Sequence, residues 1–350
     1  MKKLLISLCA ALAIAGCGKE DENTIKIGAV LPMTGPNAAF GIAMRAGMET
    51  AIEDKTNTKY KYKIIYEDGQ QLAAKSVSAA QKLASADRVK VFVSTTTGVG
   101  HAIAPVADNA NVLNLNATFD TESVEPMGKY SFFQGASIET RNEISIRALQ
   151  KNKVKSMAII AVNVGISCPG VTALAEQLNK TGIKTTVDCF NPGERDFKFV
   201  ADKYKNVDAY YVSAFPPESE ILLRQLYAMG VDRNRIYGSG FDFGQDTELF
   251  QGVNVIAETL GREGFFNRIH EKYNLKNQKF ASVAYDLVSL AIDAFEAVGP
   301  DNMDAVYDYI RQQATRECMS GTCKLLPNGF IVNEAEWRTY KDGKPVVFEK

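Results

Sequence analysis

The sequence predicts an α/β protein built from two doubly wound, open parallel-sheet lobes in tandem. Short apolar runs typical of buried strands alternate with longer runs that keep one apolar face at helical spacing. This alternation starts near residue 25 and again near residue 156, and no Pro/Ser-rich linker separates the two series. A chain of 350 residues has room for two domains of about 150 residues each.

The strand-like runs of the first series are short and apolar, and the helical runs between them are amphipathic. The predicted strands cover residues 25–30, 62–66, 89–93 and 112–115 in the first series, and 156–162, 185–189, 209–213 and 235–238 in the second. Such an alternation of strands and helices requires parallel sheets covered by helices on both faces. Ligands of open α/β sheets bind beyond the carboxyl ends of the strands, so two facing lobes would share one cleft.

Composition argues against several functional classes. The chain has 40 Lys+Arg against 41 Asp+Glu and a formal net charge of -1, which provides no field for a nucleic-acid backbone. His101 and His270 are the two histidines, they lie far apart in sequence, and the cysteines show no CxxC spacing. We therefore expect no metal site and no cofactor. An envelope hydrolase is disfavoured because no Gly-x-Ser-x-Gly or HExxH motif is present, so we expect a protein that is not an enzyme.

The first residues indicate export. Lys2 and Lys3 precede an apolar run over residues 4–15, which is too short to span a bilayer, since that takes about 20 residues. Small residues directly before Cys17 resemble the bacterial lipobox, which implies a signal peptide over residues 1–16 and lipidation of Cys17. Residues 17–23 then form a short tether to a membrane of the cell envelope. The alternative is an ordinary signal peptide with an incidental thiol at Cys17.

Once Cys9 is removed and Cys17 is lipidated, an even number of cysteines remains in an oxidising compartment, which favours two disulfides. Cys318 and Cys323 enclose a polar turn of four residues. Cys168 follows one predicted strand and Cys189 ends the next, so both fall at the carboxyl edge of a parallel pair. The alternative is four buried free thiols.

An ordered set of segments carries a family resemblance. The segments are IKIGAVLPMTGPNAAFG at 25–41, EDGQ at 67–70, STTTG at 94–98, NAT at 116–118, ASVAYD at 281–286, PNGFI at 327–331 and KDGK at 341–344. Together they resemble the branched-chain amino-acid binding-protein family, the type I periplasmic solute receptors of ABC importers.

The resemblance implies that both lobes are discontinuous and joined by a three-crossover hinge. Lobe 1 would comprise residues 24–137 plus 264–326, and lobe 2 residues 138–263 plus 327–350. Such a receptor binds an amino acid or a related apolar or aromatic solute between its lobes and delivers it to ABC permease subunits. The alternative is an envelope sensor or regulatory lipoprotein of the same fold without transport.

The resemblance also suggests how a ligand carboxylate is held. Thr95 and Thr118 occupy positions that bind the carboxylate in the amino-acid receptors, and Thr96, Asn116 and Ala117 share their loops. The loop at 94–98 precedes a helix, whose free N–H groups and positive dipole end suit an anion. The alternative is that these residues only cap helices and form turns.

The amine end of the family pattern is altered. Gly240 stands where an acidic residue is usual, which leaves Asp242 and Glu139 as candidate amine contacts. An ordinary salt bridge at the hinge is the alternative for Glu139. Phe40 and Phe215 replace tyrosines that are frequent in the family, so the predicted pocket keeps rings and loses hydroxyls.

Overall fold

The computed structural model describes residues 23–164, 167–240, 246–259, 261–262, 264–275, 280–342 and 344–349. The predicted signal peptide, Cys17 and Asp242 lie outside these residues. Within the described ranges, no helix combines the length and the hydropathy that crossing a bilayer requires.

Strands and helices alternate along most of the chain. In chain order the strands are β1 (Thr24–Leu31), β2 (Lys61–Asp68), β3 (Val91–Thr95), β4 (Leu113–Ala117), β5 (Ser131–Gly135), β6 (Ser156–Val162), β7 (Lys184–Phe190), β8 (Ala209–Ser213), β9 (Ile236–Ser239), β10 (Asn254–Glu258), β11 (Thr315–Cys318), β12 (Gly321–Leu325), β13 (Phe330–Val332), β14 (Ala335–Lys341) and β15 (Lys344–Glu349). The helices are α1 (Ala38–Asp54), α2 (Ala73–Lys82), α3 (Thr97–Ala110), α4 (Ile138–Lys151), α5 (Ser167–Lys180), α6 (Lys198–Tyr204), α7 (Glu218–Ala228), α8 (Phe265–Tyr273), α9 (Ala281–Val298) and α10 (Met303–Arg311).

The strands form two sheets, as predicted. The first has the order β11-β12-β13-β5-β4-β3-β1-β2, and its strands are parallel from β13 through to β2. The second has the order β15-β14-β10-β9-β8-β6-β7, and its strands are parallel from β10 through to β7. The remaining edge strands run antiparallel in both sheets.

Helices cover both faces of each sheet, which confirms the doubly wound α/β prediction. In the first lobe, α1 and α9 share one apolar cluster with the sheet, and α2 and α3 share another on the opposite face. In the second lobe, α4 and α5 cover one face and α6 and α7 the other. The periodic apolar stripes of the sequence therefore mark surfaces that are buried against the sheets.

Among the described residues the chain changes sheets three times, which confirms the three-crossover hinge. One boundary predicted from the sequence is wrong. The second segment of lobe 2 was expected to begin at residue 327, but Phe330–Val332 pairs with β5 in the first sheet. Phe330 also stacks on Phe133 with ring centroids 5.1 Å apart. The third change of sheet therefore falls between Val332 and Ala335.

Both predicted disulfides are present. Cys168 is joined to Cys189 and Cys318 to Cys323, with Cα–Cα distances of 6.0 Å and 5.9 Å. The second disulfide is buried in the core of the first lobe, with Cys318 2% and Cys323 0% exposed. The alternative of four free thiols is wrong.

A buried polar cluster connects two of the crossing segments. Gln134, at the end of β5, donates from Nε2 to Asn333 Oδ1 at 2.9 Å, just before β14 begins. Asp286 on α9 accepts from the Ser320 hydroxyl at 2.6 Å and from the Met319 amide. Burial raises the pKa of Asp286 to about 6, although these donors act in the opposite direction. The cluster fixes the first lobe at the point where the hinge strands leave it.

Candidate functional site

A cavity of about 660 Å³ lies between the carboxyl ends of the strands of the two lobes. The first lobe contributes the loops that follow β3 and β4, together with the start of α1. The second lobe contributes the first turns of α4 and α5 and the ends of β8 and β9. The cavity is thus placed where parallel sheets of this kind bind their ligands.

The amino end of α3 faces the cavity. Thr96 precedes this helix with φ of 73°, a strained conformation for a β-branched residue. Its N–H donates to the Ala117 carbonyl at 2.8 Å, which fixes the turn against the neighbouring strand. Thr97 and Gly98 line the cavity, and the side chain of Thr96 makes no capping hydrogen bond to the helix. Their N–H groups and the positive dipole end therefore form a seat for a carboxylate.

A directed chain of hydrogen bonds lies beside this seat. Thr97 Oγ1 donates to Asp120 Oδ2 at 2.8 Å, because a carboxylate oxygen only accepts. Thr118 Oγ1 lies 2.5 Å from Thr97 Oγ1, so its proton is directed to Thr97. Both hydroxyls and the carboxylate then offer lone pairs to the cavity. This part of the wall accepts hydrogen bonds, as an ammonium group requires.

Arg141 supplies a fixed cation. It lies in the first turn of α4 and lines the cavity, and its guanidinium is 5.2 Å from the centre of the Phe119 ring. Among the described residues, no carboxylate lies within ion-pairing distance of it. A cation close to the positive end of a helix dipole is unfavourable for folding. Arg141 is therefore suited to a ligand anion.

Phenylalanine rings form much of the remaining wall. Phe280 packs edge-on against Phe40, with ring centroids 5.6 Å apart, and its ring is tilted against that of Phe119 at 5.0 Å. Phe280 has φ of 68°, which is a strained conformation for a bulky residue. Phe215 lines the cavity from the second lobe. These rings suit an apolar or aromatic ligand body.

The second lobe offers hydroxyls but no acid at the described strand ends. Tyr211, Ser213 and Ser239 line the cavity, and burial raises the pKa of Tyr211. Gly240 follows β9 with φ of 88°, and a Cβ atom there would lie 2.7 Å from the Ala214 carbonyl oxygen. The close approach of the two backbones leaves no room for the acidic side chain that the family pattern has at this step.

Most of the predicted ligand residues come together in this cavity. Those that line it are Phe40, Thr95, Thr96, Ala117, Thr118 and Phe215. The hydroxyl of Thr95 donates to the Ala117 carbonyl at 3.2 Å. Asp242 lies outside the described residues, so its role stays a prediction.

Asn116 and Glu139 do not line the cavity. Asn116 lies on the face of β4 that meets α3, where Nδ2 donates to Ser94 Oγ at 2.8 Å. Glu139 is exposed, and its Oε2 accepts from the Glu122 amide at 3.0 Å. It is one position away from Ile138 on α4, and the helix turns about 100° per residue, so it faces away from the cavity.

Sequence reasoning missed Thr97, Asp120 and Arg141. Arg141 follows Ile138 by three residues, so the helical repeat puts both on the cavity side of α4. Asp120 lies two residues beyond Thr118, past the end of the strand motif. A helical projection starting at Ile138 would have found Arg141, whereas no local pattern singled out Asp120.

One group of potential metal ligands is found among the described residues. It comprises Asp286, Cys318 and Cys323. The two sulfurs form a disulfide, whereas metal binding requires thiolates. None of the three lines the cavity.

Comparisons with known proteins identify the family. The family model described as periplasmic binding protein matches residues 24–333. The Leu/Ile/Val-binding protein BraC3 of Rhizobium johnstonii is 29% identical over 307 residues, covering 84% of this chain and 80% of that protein. Leu/Ile/Val-binding protein homolog 3 of Brucella melitensis is 28% identical over 345 residues, covering 96% and 92%.

Solved structures share the fold. LivJ of Streptococcus pneumoniae, in complex with isoleucine, superposes with a TM-score of 0.78 at 20% identity, covering 93% of this chain and 100% of that one. A solute-binding protein from R. palustris in complex with 4-hydroxybenzoate has a TM-score of 0.78 at 17% identity, covering 93% and 96%.

The two-lobed fold, the interlobe cavity and the family match agree. Members of this family are extracytoplasmic solute receptors rather than enzymes. The chain belongs to the periplasmic binding protein family, and it is similar to Leu/Ile/Val-binding proteins of that family.

Proposed function

We propose that this chain is the receptor of an ABC importer and binds an amino acid with an apolar or aromatic side chain. The observation that carries this proposal is the pairing of opposite polarities in one cavity. The α3 amino end and Arg141 donate hydrogen bonds, and the chain from Asp120 to Thr118 accepts them. A zwitterion has one group for each of these surfaces.

Charge supports the same class of ligand. Among the described residues that line the cavity, Arg141 carries a positive charge and Asp120 a negative one, so their formal charges cancel. A neutral zwitterion leaves this balance unchanged, whereas an anion without an amine would leave the Asp120 carboxylate facing an apolar body. A buried carboxylate that faces no opposite charge is costly, even where it accepts hydrogen bonds.

An aromatic carboxylic acid is the second candidate, and the phenylalanine rings favour it. Phe40, Phe119, Phe215 and Phe280 line the cavity and match a flat aromatic body. Structural neighbours of this chain are complexes with 4-hydroxybenzoate and with benzoate. Arg141 and the α3 amino end would suffice to bind the carboxylate of such a ligand.

Binding would close the cleft. A ligand that contacts Arg141 and Tyr211 on one side and Thr97 on the other favours the closed form by its greater affinity for that form. The closed receptor would then be recognised by ABC permease subunits. The alternative of an envelope sensor without transport has the same binding step and differs only in the partner.

We further propose that the mature chain is anchored to a membrane through lipidated Cys17. The family match supports an extracytoplasmic location. The short tether of residues 17–23 would keep the binding domain close to the membrane.

A thermal-shift screen with leucine, phenylalanine, benzoate, 4-hydroxybenzoate and phenylacetamide tests the ligand class. We expect an apolar amino acid to bind, and to stabilise the fold by about 2.7 kcal/mol at 100 times its Kd. Asp120→Asn should weaken this binding about tenfold or more, because a charge-assisted hydrogen bond to the ammonium is lost. Asp108→Asn, which changes a carboxylate outside the cavity wall, is the control.

The contradicting outcome is equally specific. If every amino acid fails, an aromatic acid binds, and Asp120→Asn leaves that binding unchanged, then the ligand has no ammonium group. The second candidate would replace the first.

Arg141→Gln should weaken binding of a carboxylate ligand of either class by about 1.5–3 kcal/mol, which is roughly tenfold to a hundredfold. Isothermal titration calorimetry measures this loss, and the methyl ester of the same ligand should show little sensitivity to the substitution. Arg147→Gln, on the same helix and paired with Glu143, is the control. An equal loss for the acid and its ester would show that Arg141 does not bind the carboxylate.

Cys17→Ser tests the anchor. We expect the wild-type protein to partition with membranes and to need detergent for release, since two or more acyl chains give stable anchoring. The variant should appear in the soluble fraction or remain unprocessed. Wild-type protein found in the aqueous phase after detergent partition would instead indicate an ordinary signal peptide.

A further inference from the structure

We propose that the Cys168–Cys189 disulfide is a positioning link for the ligand cavity, and that a dithiol in the surrounding solution can open it. The link holds the first turn of α5 against the cavity. The effect of this disulfide on ligand affinity rests on the proposed binding function. Its effect on the position of α5 is independent of that function.

The two disulfides differ in solvent access. Cys189 is exposed and Cys168 half-buried, whereas Cys318 and Cys323 are 2% and 0% exposed. A thiolate must reach a sulfur atom in order to exchange with it. The disulfide beside the cavity is therefore open to attack under conditions that leave the other disulfide intact.

The Cys189 end of the link is fixed. Cys189 belongs to β7, which pairs with β6 from Ser156↔Lys184 to Val162↔Phe190. Cys189 itself faces Ala161 in this register, and β6 is a central strand with 0% exposure at Ala161. The strand therefore keeps its place whether or not the disulfide is closed.

The Cys168 end is held more weakly. The first turn of α5 reads Ser-Cys-Pro-Gly from Ser167 to Gly170, and the buried apolar residues of the helix begin only at Val171. Glycine is a weak helix former, and the exposed Pro169 adds little burial. The Ser167 amide donates to the Val164 carbonyl at 3.0 Å, but Val164 is itself 45% exposed.

This weakly held turn forms part of the cavity wall. Ser167, Pro169, Gly170 and Val171 all line the cavity. A Cβ atom at Gly170 would lie 3.1 Å from Ile138 Cδ1, so the turn packs closely against the start of α4, which carries Arg141. A shift of the turn would therefore disturb the ligand wall of the second lobe.

The opening step is a thiol–disulfide exchange. A thiolate of the dithiol attacks Cys189 Sγ, the bond between the sulfurs breaks, and Cys168 leaves as a thiolate that takes a proton from water. The positive end of the α5 dipole favours this leaving group. The second thiol of the reductant then releases Cys189 as a thiol. The reductant becomes a cyclic disulfide, and two electrons pass to the protein.

Graded reduction of the mature protein with dithiothreitol tests the proposal. Alkylation followed by peptide mass spectrometry should show Cys168 and Cys189 modified at reductant concentrations that leave Cys318 and Cys323 unmodified. In the same samples, hydrogen exchange at residues 168–172 should accelerate about tenfold or more, while exchange in β6 and β7 stays constant. Unchanged exchange in α5, or simultaneous opening of both disulfides, would overturn the proposal.

A C168S/C189S variant supplies the second measurement. Its α5 exchange should match that of reduced wild-type protein and should not respond to dithiothreitol. Leucine and benzoate serve as binding probes, and whichever binds the wild-type should bind the variant about tenfold more weakly, because a preorganised wall is lost. Equal affinity would show that the link has no positioning role. If neither probe binds the wild-type, the proposed ligand class fails, and the exchange data alone decide on the link.

Discussion

The site depends on one constraint: parallel strands bring all their carboxyl ends to the same edge of a sheet. In this chain the edges of two such sheets contribute to one cavity. The loops there leave N–H groups and hydroxyls that no strand can pair, and the amino end of α3 is the clearest case. Its preceding residue, Thr96, is held in a strained conformation by a hydrogen bond to Ala117. The binding surface is thus a consequence of how the sheets end.

The strand ends were predictable, and the directions of individual side chains were less so. Apolar runs located β1 to β4, and the polar residues that follow β3 and β4 therefore fell where the cavity lies. Asn116 was assigned to the ligand because it shares a loop with Thr118, yet side chains alternate along a strand and Asn116 faces α3. Glu139 lies outside the cavity wall for the helical equivalent of this reason. In both cases the position of the element agrees with the prediction, and the direction of the side chain differs from it.

The altered charge pattern has a physical explanation. The family pattern has an acid after the strand corresponding to β9, but the close contact of Gly240 with the Ala214 carbonyl excludes a side chain there. Asp120, in the opposite lobe, supplies a carboxylate that accepts hydrogen bonds. The described residues at the end of β9 offer no such carboxylate. The hydroxyls of Thr97 and Thr118 are oriented by that carboxylate, so one residue sets the polarity of a larger part of the wall.

A crystal structure of the protein with its bound ligand tests this account most directly. We expect one end of the ligand to place a carboxylate within hydrogen-bonding distance of the Thr97 or Gly98 amide or of the Arg141 guanidinium. The ammonium group should contact Asp120 or the hydroxyls that it orients, and the apolar body should lie among the phenylalanine rings. A ligand whose carboxylate met only the serine hydroxyls of the second lobe, or one bound outside the cavity, would contradict the account.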